Sequence, residues 1–323
     1  TTGNKNTQDK SDNGIYPFYV RSQIVERINS WTFDGEAILT AGDGVGVGKV
    51  FHYSTGKIGV HQRVYILSDF KCDGKYLYSY FAGNFYNRVK RMSAKNSVDS
   101  VRMEMIADMP IALPSIEEQK KIGHLLALLD DRIATQNKII EKLQSLIKGL
   151  AAQLTQSGTP NVRLCDCLEC HSSTLQENCV SATGSCPVYG ATGLIGYTNG
   201  YAYNGESILI VKDGSGVGSL SYANDCYSVI GTLNYLTAKG KYSVLYLYYA
   251  LMAFNFTPYI TGMAIPHIYF KDYGKAKVFC PSIENQIRIA SLLHNIEQKL
   301  VVEQNLIISL SAQKSYLLRM LFI

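Results

Sequence analysis

A long internal repeat is the sequence feature that most constrains the fold. Residues 34–39, with the glycine-rich stretch that follows them, recur 170 residues later as residues 204–209 and a second glycine-rich stretch. A second block, Pro-Ser-Ile-Glu-x-Gln, begins at Pro114 and returns at Pro281, 167 residues later. This period far exceeds the roughly 20–50 residues of solenoid repeats, so it predicts a duplicated globular unit followed by a helix.

A long helix is predicted after each Pro-Ser-Ile-Glu block. Both stretches lack proline, and aliphatic residues recur at mostly alternating steps of three and four, the spacing of a coiled-coil seam. Ser115 and Glu118 fit a capping box at the first helix start. Polar residues interrupt the two seams at equivalent places, Gln136 and Glu303, where they can fix the register. The predicted seam positions are Ile122, Leu126, Leu129, Ile133, Ile140, Leu143, Ile147, Ile289, Leu293, Ile296, Leu300, Ile307 and Leu310.

These patterns predict an α+β fold in which two similar domains are separated by two long helices. Because each seam needs a partner, we expect the helices to pack as an antiparallel coiled coil with a pseudo-two-fold axis across the middle. Two amphipathic helices that each pack only on their own domain are the alternative. The expected segments are a first domain at 1–114, a first helix at 115–157, a second domain at 158–281 and a second helix at 282–323. The first domain is expected to lack its opening strand.

The glycine-rich stretch at 41–50 has two interpretations, a phosphate-binding loop and a tight hairpin. A Walker A loop needs a glycine five residues before a Gly-Lys pair and a serine or threonine after it, but this stretch has Asp43 and Val50 there. The second copy keeps the glycines and replaces Lys49 with Ser219. Retained glycines without the lysine indicate a hairpin that needs positive φ and close packing. A nucleotide-binding enzyme that uses this loop remains an alternative hypothesis.

Composition and charge limit the possible classes of protein. The hydrophobic fraction of 46% and the charged fraction of 18% are typical of a folded soluble chain. No apolar run reaches the length of a membrane span, and the first residues lack the apolar core of a signal peptide. The net charge of +5 is modest, and residues 159–283 carry seven charges of each sign. A nucleic-acid binder of this kind would have to concentrate its positive charge on one face or obtain it from a partner.

Eight cysteines are unevenly distributed, since only Cys72 lies in the first half. We therefore expect a reducing, cytoplasmic compartment. The cluster of Cys165, Cys167, Cys170 and His171 contains a C-x-x-C-H pattern and soft ligands that would suit zinc. Haem attachment requires export, and zinc would need a second ligand pair, for which Cys179 and Cys186 are the candidates. We predict buried free thiols and no bound metal.

The repeated helix motif and the glycine block together resemble the specificity subunit of a type I restriction–modification system. The helix segment LPSIEEQKKIGHLLALLDDRIATQNKIIEKLQ carries most of the resemblance, and the motif occurs twice. The resemblance implies that each domain is a target-recognition domain for one half of a split sequence in double-stranded DNA. It also implies that the helices set the spacing of the halves and dock modification subunits.

The resemblance implies no catalysis by this chain. The methyl donor S-adenosylmethionine is expected on the methyltransferase subunits, an ATP-dependent restriction subunit can join the complex, and no cofactor or membrane partner is expected for this chain. No Pro-Pro dipeptide is present, so the Asn-Pro-Pro or Asp-Pro-Pro element of amino-methyltransferases is absent. A specificity-like subunit that serves a different effector, and a coiled-coil scaffold protein, are the remaining alternatives.

Candidate DNA-contacting residues lie in three places. These are the glycine-rich stretches, a basic run at 87–96 and the uncharged stretch at 261–269, which the repeat makes equivalent to the end of that run. The run has four positive charges in eight residues, which suits phosphate contact, although a solvated helix end explains it as well. None of the candidates is distinguished by its spacing, and each could reach the DNA backbone or a base edge. The candidates are Lys49, His52, Arg63, Arg88, Lys90, Arg91, Lys95, Lys212, Ser215, His267 and Tyr269.

Overall fold

The computed structural model describes residues 1–92 and 100–322. The chain divides into two compact units. Unit 1 comprises Thr1–Asn137 and Asn305–Ile323, and unit 2 comprises Lys138–Gln304. Both units combine small sheets with helices, and the α+β class predicted from the repeat is confirmed. Of the two long helices, each contributes one part to unit 1 and the other part to unit 2.

Unit 1 contains two small sheets followed by helices. The sheets have the strand orders β2-β1-β6-β3 and β5-β4-β7. Its strands are β1 (Tyr16–Tyr19), β2 (Glu26–Ile28), β3 (Phe33–Asp34), β4 (Ala37–Ala41), β5 (Phe51–Ser54), β6 (Lys57–Val60) and β7 (Val64–Leu67). Its helices are α1 (Gly74–Met92), the short α2 (Met103–Ala107) and the first part of α3 (Ile116–Thr155). A cluster of aromatic and aliphatic side chains joins β4 and β5 to α1 and α2.

Unit 2 repeats this arrangement with three sheets. Their orders are β11-β10-β15-β12, β14-β13-β16-β9 and β17-β8. The strands are β8 (Val162–Arg163), β9 (Leu168–Ser172), β10 (Cys186–Gly190), β11 (Gly193–Thr198), β12 (Tyr203–Asn204), β13 (Ser207–Val211), β14 (Leu220–Ala223), β15 (Cys226–Val229), β16 (Leu233–Ala238) and β17 (Lys277–Val278). The helices are α4 (Leu164–Cys167), α5 (Val244–Met252), α6 (Phe270–Tyr273) and the first part of α7 (Ile283–Leu321).

The strand β9 has no full equivalent in unit 1. In unit 2, β9 pairs with β16 and places Asn234 opposite Ser172. The strand registers make Tyr65 the equivalent of Asn234 in unit 1, and there an isolated bridge joins Tyr65 to Thr2. The corresponding sheet of unit 1 therefore has three strands where that of unit 2 has four.

The glycine-rich stretches form hairpin turns, as the repeat predicted. The first joins the antiparallel strands β4 and β5, and the second joins β13 and β14. Gly44 and Gly48 have φ of 78° and 65°, and the equivalent Gly214 and Gly218 have φ of 97° and 85°. An L side chain is strained in this region of backbone space, which explains why glycine is retained in both copies.

The predicted seam residues of both long helices are all buried or half-buried. In unit 2, Ile147 and Ala151 of α3 belong to the same apolar core as Ala290 and Leu293 of α7. That core also contains residues of α5. In unit 2, α3 and α7 therefore pack against each other and against the domain helix α5. The polar seam residue Glu303 is buried and pairs with Lys299 one turn earlier.

The two long helices, α3 and α7, run antiparallel where they meet. In unit 1, Lys314 near the end of α7 forms an ion pair with Asp130 in the first part of α3. In unit 2, the second part of α3 meets the first part of α7. Parallel helices would instead bring the two first parts together.

The expected capping box is confirmed at the start of α3. The backbone N–H of Ser115 donates to Glu118 Oε2 over 3.1 Å, and the backbone N–H of Glu118 donates to Ser115 Oγ over 3.4 Å.

A buried glutamine fastens each long helix to its own domain. In unit 1, Gln119 Oε1 accepts from the backbone N–H of Asp73, just before α1, and its Nε2 donates to the carbonyl of Pro114. In unit 2, Gln286 Oε1 accepts from the backbone N–H of Ser243, the N-cap of α5, and its Nε2 donates to Pro281. This repeated bond pair explains why glutamine follows Pro-Ser-Ile-Glu in both copies.

The glutamine link gives a stability prediction. Replacing Gln286 by leucine leaves the Ser243 N–H and the Pro281 carbonyl without their partner, and each unsatisfied buried group costs about 1–3 kcal/mol. Urea denaturation of Gln286→Leu should show a lower free energy of unfolding than the unchanged protein. The exposed Gln313→Leu on the same helix is the matched control and should unfold like the unchanged protein. Equal stability of both variants would contradict the role of the link.

Candidate nucleic-acid interface

In unit 1, the glycine hairpin is held by an arginine pair around one carboxylate. Arg21 Nη1 donates to Asp43 Oδ1 over 2.6 Å, and Arg63 Nη1 donates to Asp43 Oδ2 over 3.0 Å. Burial, and then the charge of Arg21, lowers the pKa of the neighbouring His61. The arginines are half to mostly exposed, so each can present its remaining donors to a ligand while Asp43 fixes its position. Arg21 was not predicted from the sequence.

Lys49 and His52 have different surroundings at the other side of this hairpin. The Lys49 ammonium lies over the ring of Tyr86, 5.5 Å from its centre, and is exposed to solvent. A ring nitrogen of His52 lies 2.9 Å from the carbonyl oxygen of Ser22, and burial lowers the pKa of His52. Lys49 is therefore free to meet an anion, whereas His52 is engaged with the protein.

The basic run lies at the carboxyl end of α1. Arg88 donates from Nε to the carbonyl of Met105 and from Nη2 to the carbonyl of Asp108, which gives it a structural role in holding α2. Lys90 and Arg91 are exposed. Positive side chains in a last turn also interact favourably with the helix dipole, so their position has a structural explanation too. Lys95 lies outside the described residues.

In unit 2, the structure brings the second glycine hairpin together with the predicted stretch around His267. The backbone N–H of Gly214 donates to the carbonyl of Pro266 over 2.8 Å, and that of Ile268 donates to Lys212 over 2.9 Å. An isolated antiparallel bridge joins Asp213 and His267. These bonds place Lys212 and His267 on adjoining segments, with Ser215 exposed at the tip of the hairpin.

An aromatic and cationic group continues this surface. The rings of His267 and Tyr269 are 5.0 Å apart, and Lys271 Nζ lies 5.1 Å from the centre of the Tyr269 ring. Tyr269 is about half exposed. The group offers hydrogen-bond donors, an aromatic face and one positive charge, which together can contact bases and phosphates.

The same pairing of segments occurs in unit 1. There the bridge joins Asp43 to Ser100, and the backbone N–H of Val101 donates to the carbonyl of Gly42. Ser100 is equivalent to His267 at the shift of 167 found for the later repeat. The glycine hairpins and the stretch around His267 were predicted to lie in the interface, whereas Ser100 and Val101 were not among the candidates, and no sequence signal indicated that these segments are bonded to each other.

The geometry does not favour nucleotide binding by the glycine loop. Phosphate loops of this kind lead from a strand into a helix, whose N-terminus binds the anion. Here each loop returns the chain to an antiparallel strand. A carbon added at Gly46 would lie 2.4 Å from the carbonyl oxygen of Arg21, so close packing accounts for this glycine.

The cysteine cluster does not converge on a common point. Cys167 is buried, and burial raises the pKa of Cys170 to about 11. His171 instead contacts Thr237 Oγ1 at 2.9 Å and stacks on Tyr235. Within residues 1–92 and 100–322, no group of three or more histidine, cysteine or acidic residues is placed to hold a metal ion.

The part of the chain that the structure describes has no helix long and apolar enough to cross a membrane.

A family model described as the type I restriction modification DNA specificity domain matches residues 1–145 and 161–312. The specificity subunit of the type I restriction enzyme EcoDI from Escherichia coli is 29% identical over 148 residues, which are 46% of this chain and 32% of that protein. The MjaVIII specificity subunit from Methanocaldococcus jannaschii is 28% identical over 162 residues, 46% of this chain and 37% of that protein.

The chain spans about a third of the length of these two relatives. A crystal structure of a type I restriction–modification S subunit from M. genitalium has a similar fold. The two structures align with a TM-score of 0.79 at 17% sequence identity. The alignment covers 100% of this chain and 93% of the M. genitalium chain. The resemblance inferred from the repeated motif is therefore confirmed at the level of the family and of the fold.

The thiol environments give a reactivity prediction. With a pKa of about 11, Cys170 exists as thiolate only at about one part in a thousand at pH 8, and the thiolate is the reactive form. Iodoacetamide at pH 8 should therefore alkylate the exposed Cys179 well before Cys170, as measured by mass spectrometry of peptides over time. Because the pKa of Cys170 is raised, its labelling should increase as the pH rises towards 11. Equal labelling of both thiols at pH 8 would contradict the raised pKa of the half-buried Cys170.

Proposed function

This chain belongs to the type I restriction–modification DNA specificity family, and we propose that it recognises a split, asymmetric DNA sequence for a methyltransferase complex. Each unit supplies one reading surface, built from a glycine hairpin and the segment bonded to it. The observation that carries the proposal is that the same backbone arrangement occurs twice with different side chains. At the positions of Arg21 and Arg63 in unit 1, unit 2 has Ala191 and Thr232.

The different side chains support unlike half-sites. Unit 1 offers two arginines ordered by Asp43, and arginine makes bidentate contacts with guanine or phosphate. The unit 2 surface has Lys212, His267 and Tyr269, which favour other contacts. Two readers on one chain with different chemistry fit an asymmetric target better than a palindromic one.

The chemistry is assigned to partners in this proposal. The methyltransferase subunits would carry S-adenosylmethionine, and ATP-dependent restriction subunits can join them. This chain would contribute recognition and the spacing of the two half-sites, and no catalytic role is proposed for its residues.

The outer faces of the long helices support docking of the modification subunits. Leu128 of α3 is 52% exposed, and Leu146 on the same helix is 47% exposed. Ile308 and Tyr316 of α7 are also exposed. None of these four belongs to the predicted seam, so the seam does not account for them. Apolar side chains at helical spacing outside a buried seam are suited to packing against helices of another subunit.

The recognition proposal predicts an effect confined to one half-site. The target would first be mapped from the methylated positions in a host genome that carries the intact system. In the complex assembled with its modification subunits, Arg91→Ala should weaken binding to DNA in which the half read by unit 1 is intact. It should have little effect where that half is scrambled. Dissociation constants on the two duplexes measure this difference.

The matched control removes the same charge from the opposite end of α1. Lys71 lies just before this helix and is exposed. Along α1, Gly74 at its start and Arg91 near its end are about 26 Å apart. Lys71→Ala should bind both duplexes like the unchanged complex. Equal loss at both half-sites in Arg91→Ala would contradict the assignment, and a scaffold protein would bind no sequence preferentially.

Docking on the helices is tested by introducing a charge. Leu146→Glu should prevent co-purification of the modification subunits, because an acidic side chain in an apolar interface loses its hydration. Gln144→Glu places the same charge at an exposed position two residues away on a different side of the helix, and it should leave assembly unchanged. If Leu146→Glu assembles like Gln144→Glu, this face is not the docking surface.

A further inference from the structure

The segment at 261–267 forms a small closed hairpin in unit 2. The backbone N–H of Thr261 donates to His267 over 2.9 Å, and that of His267 donates back to Thr261 over 2.8 Å. Gly262 has φ of 87°, and a carbon added there would lie 2.3 Å from the carbonyl oxygen of Ile265. The turn therefore requires glycine at this position.

The hairpin is also anchored from outside. The carbonyl of Pro266 accepts from the backbone N–H of Gly214, and the backbone N–H of Ile268 donates to Lys212, so the second glycine hairpin supports the second arm of this hairpin. Ile268 is buried beneath it. Because the backbone is already fixed by these bonds, the hairpin would lose little conformational entropy on binding a ligand.

Two large apolar side chains stand at the tip of this hairpin. Met263 is fully exposed, at 104% of its reference area, and Ile265 is 66% exposed. Residues 261–269 contain no lysine, arginine, aspartate or glutamate. The tip is therefore unsuited to clamping phosphates, and the contact that it offers is apolar. We name Met263 and Ile265 together the apolar tip.

The surroundings of the apolar tip favour DNA over a protein partner. Each partner in a specific protein interface buries about 800 Å², and two side chains on a short hairpin supply only a small part of that. The neighbouring Lys212, Tyr269 and Lys271 provide positive charge and an aromatic face, which complement a DNA groove and its phosphates. Apolar side chains that enter a groove contact base edges and can partly unstack a base step.

We propose that Met263 and Ile265 act as an apolar wedge, which enters a groove of the DNA half-site read by unit 2 and contacts its base edges. The proposal rests on the proposed function and extends it to two residues that determine specificity. In it, the basic and aromatic neighbours position the duplex, and the apolar tip contributes to the discrimination between sequences. The net charge of residues 159–283 is zero, which is compatible with such a reader, since its selectivity would come from groove contact rather than bulk charge.

The experiment uses the assembled complex and the mapped target sequence. The double variant Met263→Ala, Ile265→Ala should bind the cognate duplex at least tenfold more weakly than the unchanged complex. Its affinity for a scrambled duplex should stay within twofold. The double variant Met263→Leu, Ile265→Leu keeps the apolar volume and should stay within about threefold on the cognate duplex. Because both side chains are exposed, neither double variant is expected to disturb folding.

A control variant separates wedge contact from general loss of apolar surface. Leu194 on β11 is also exposed and lies in the same unit. Leu194→Ala should bind the cognate duplex within twofold of the unchanged complex. The proposal is overturned if the alanine double variant keeps full cognate affinity, or if it fails only because the modification subunits no longer assemble. Failure of the proposed function would look different, since the unchanged complex would then bind its mapped site no better than scrambled DNA.

Discussion

The aliphatic row along each long helix must be buried, and this requirement organises the rest of the chain. Leu126 and Leu293 are fully buried on their respective helices, and the other seam residues are at least half-buried. In unit 2 the seam merges with the core of the domain through α5, so helix pairing and domain folding depend on the same apolar cluster. The helices have 40 and 39 residues, and most of the stability of such helices comes from packing of the apolar face against a partner.

Polar bonds then determine how each domain joins its helix. Gln119 and Gln286 each connect the start of a domain helix to the proline that precedes a long helix. Tyr76 and Tyr246 add an equivalent bond in each copy, donating to the carbonyls of Ala112 and Phe279. The same bonds occur in both copies, so the connection between each domain and its long helix stays constant while the reading surfaces differ.

The reading surfaces show how one backbone can serve two sets of contacts. Positive φ favours glycine at two equivalent positions of each hairpin, and close packing requires it at Gly46 in unit 1, while the flanking side chains differ between the copies. In unit 1 a carboxylate orders two arginines, whereas in unit 2 an uncharged hairpin with an apolar tip lies beside the turn. A duplicated scaffold with different surfaces is the physical basis for proposing two unlike half-sites.

The sequence by itself determined the duplication, the two helix seams, the capping at Ser115 and the hairpin role of the glycines. These features are set by local spacing and backbone preference, which do not depend on distant parts of the chain. Only the tertiary structure decided that Arg21 meets Asp43, that Arg88 bonds α2, and that Pro266, in the hairpin that carries the exposed apolar tip, bonds Gly214. Those contacts join residues that are distant in the chain, and no periodicity or spacing within one segment records which distant segment will pack against it.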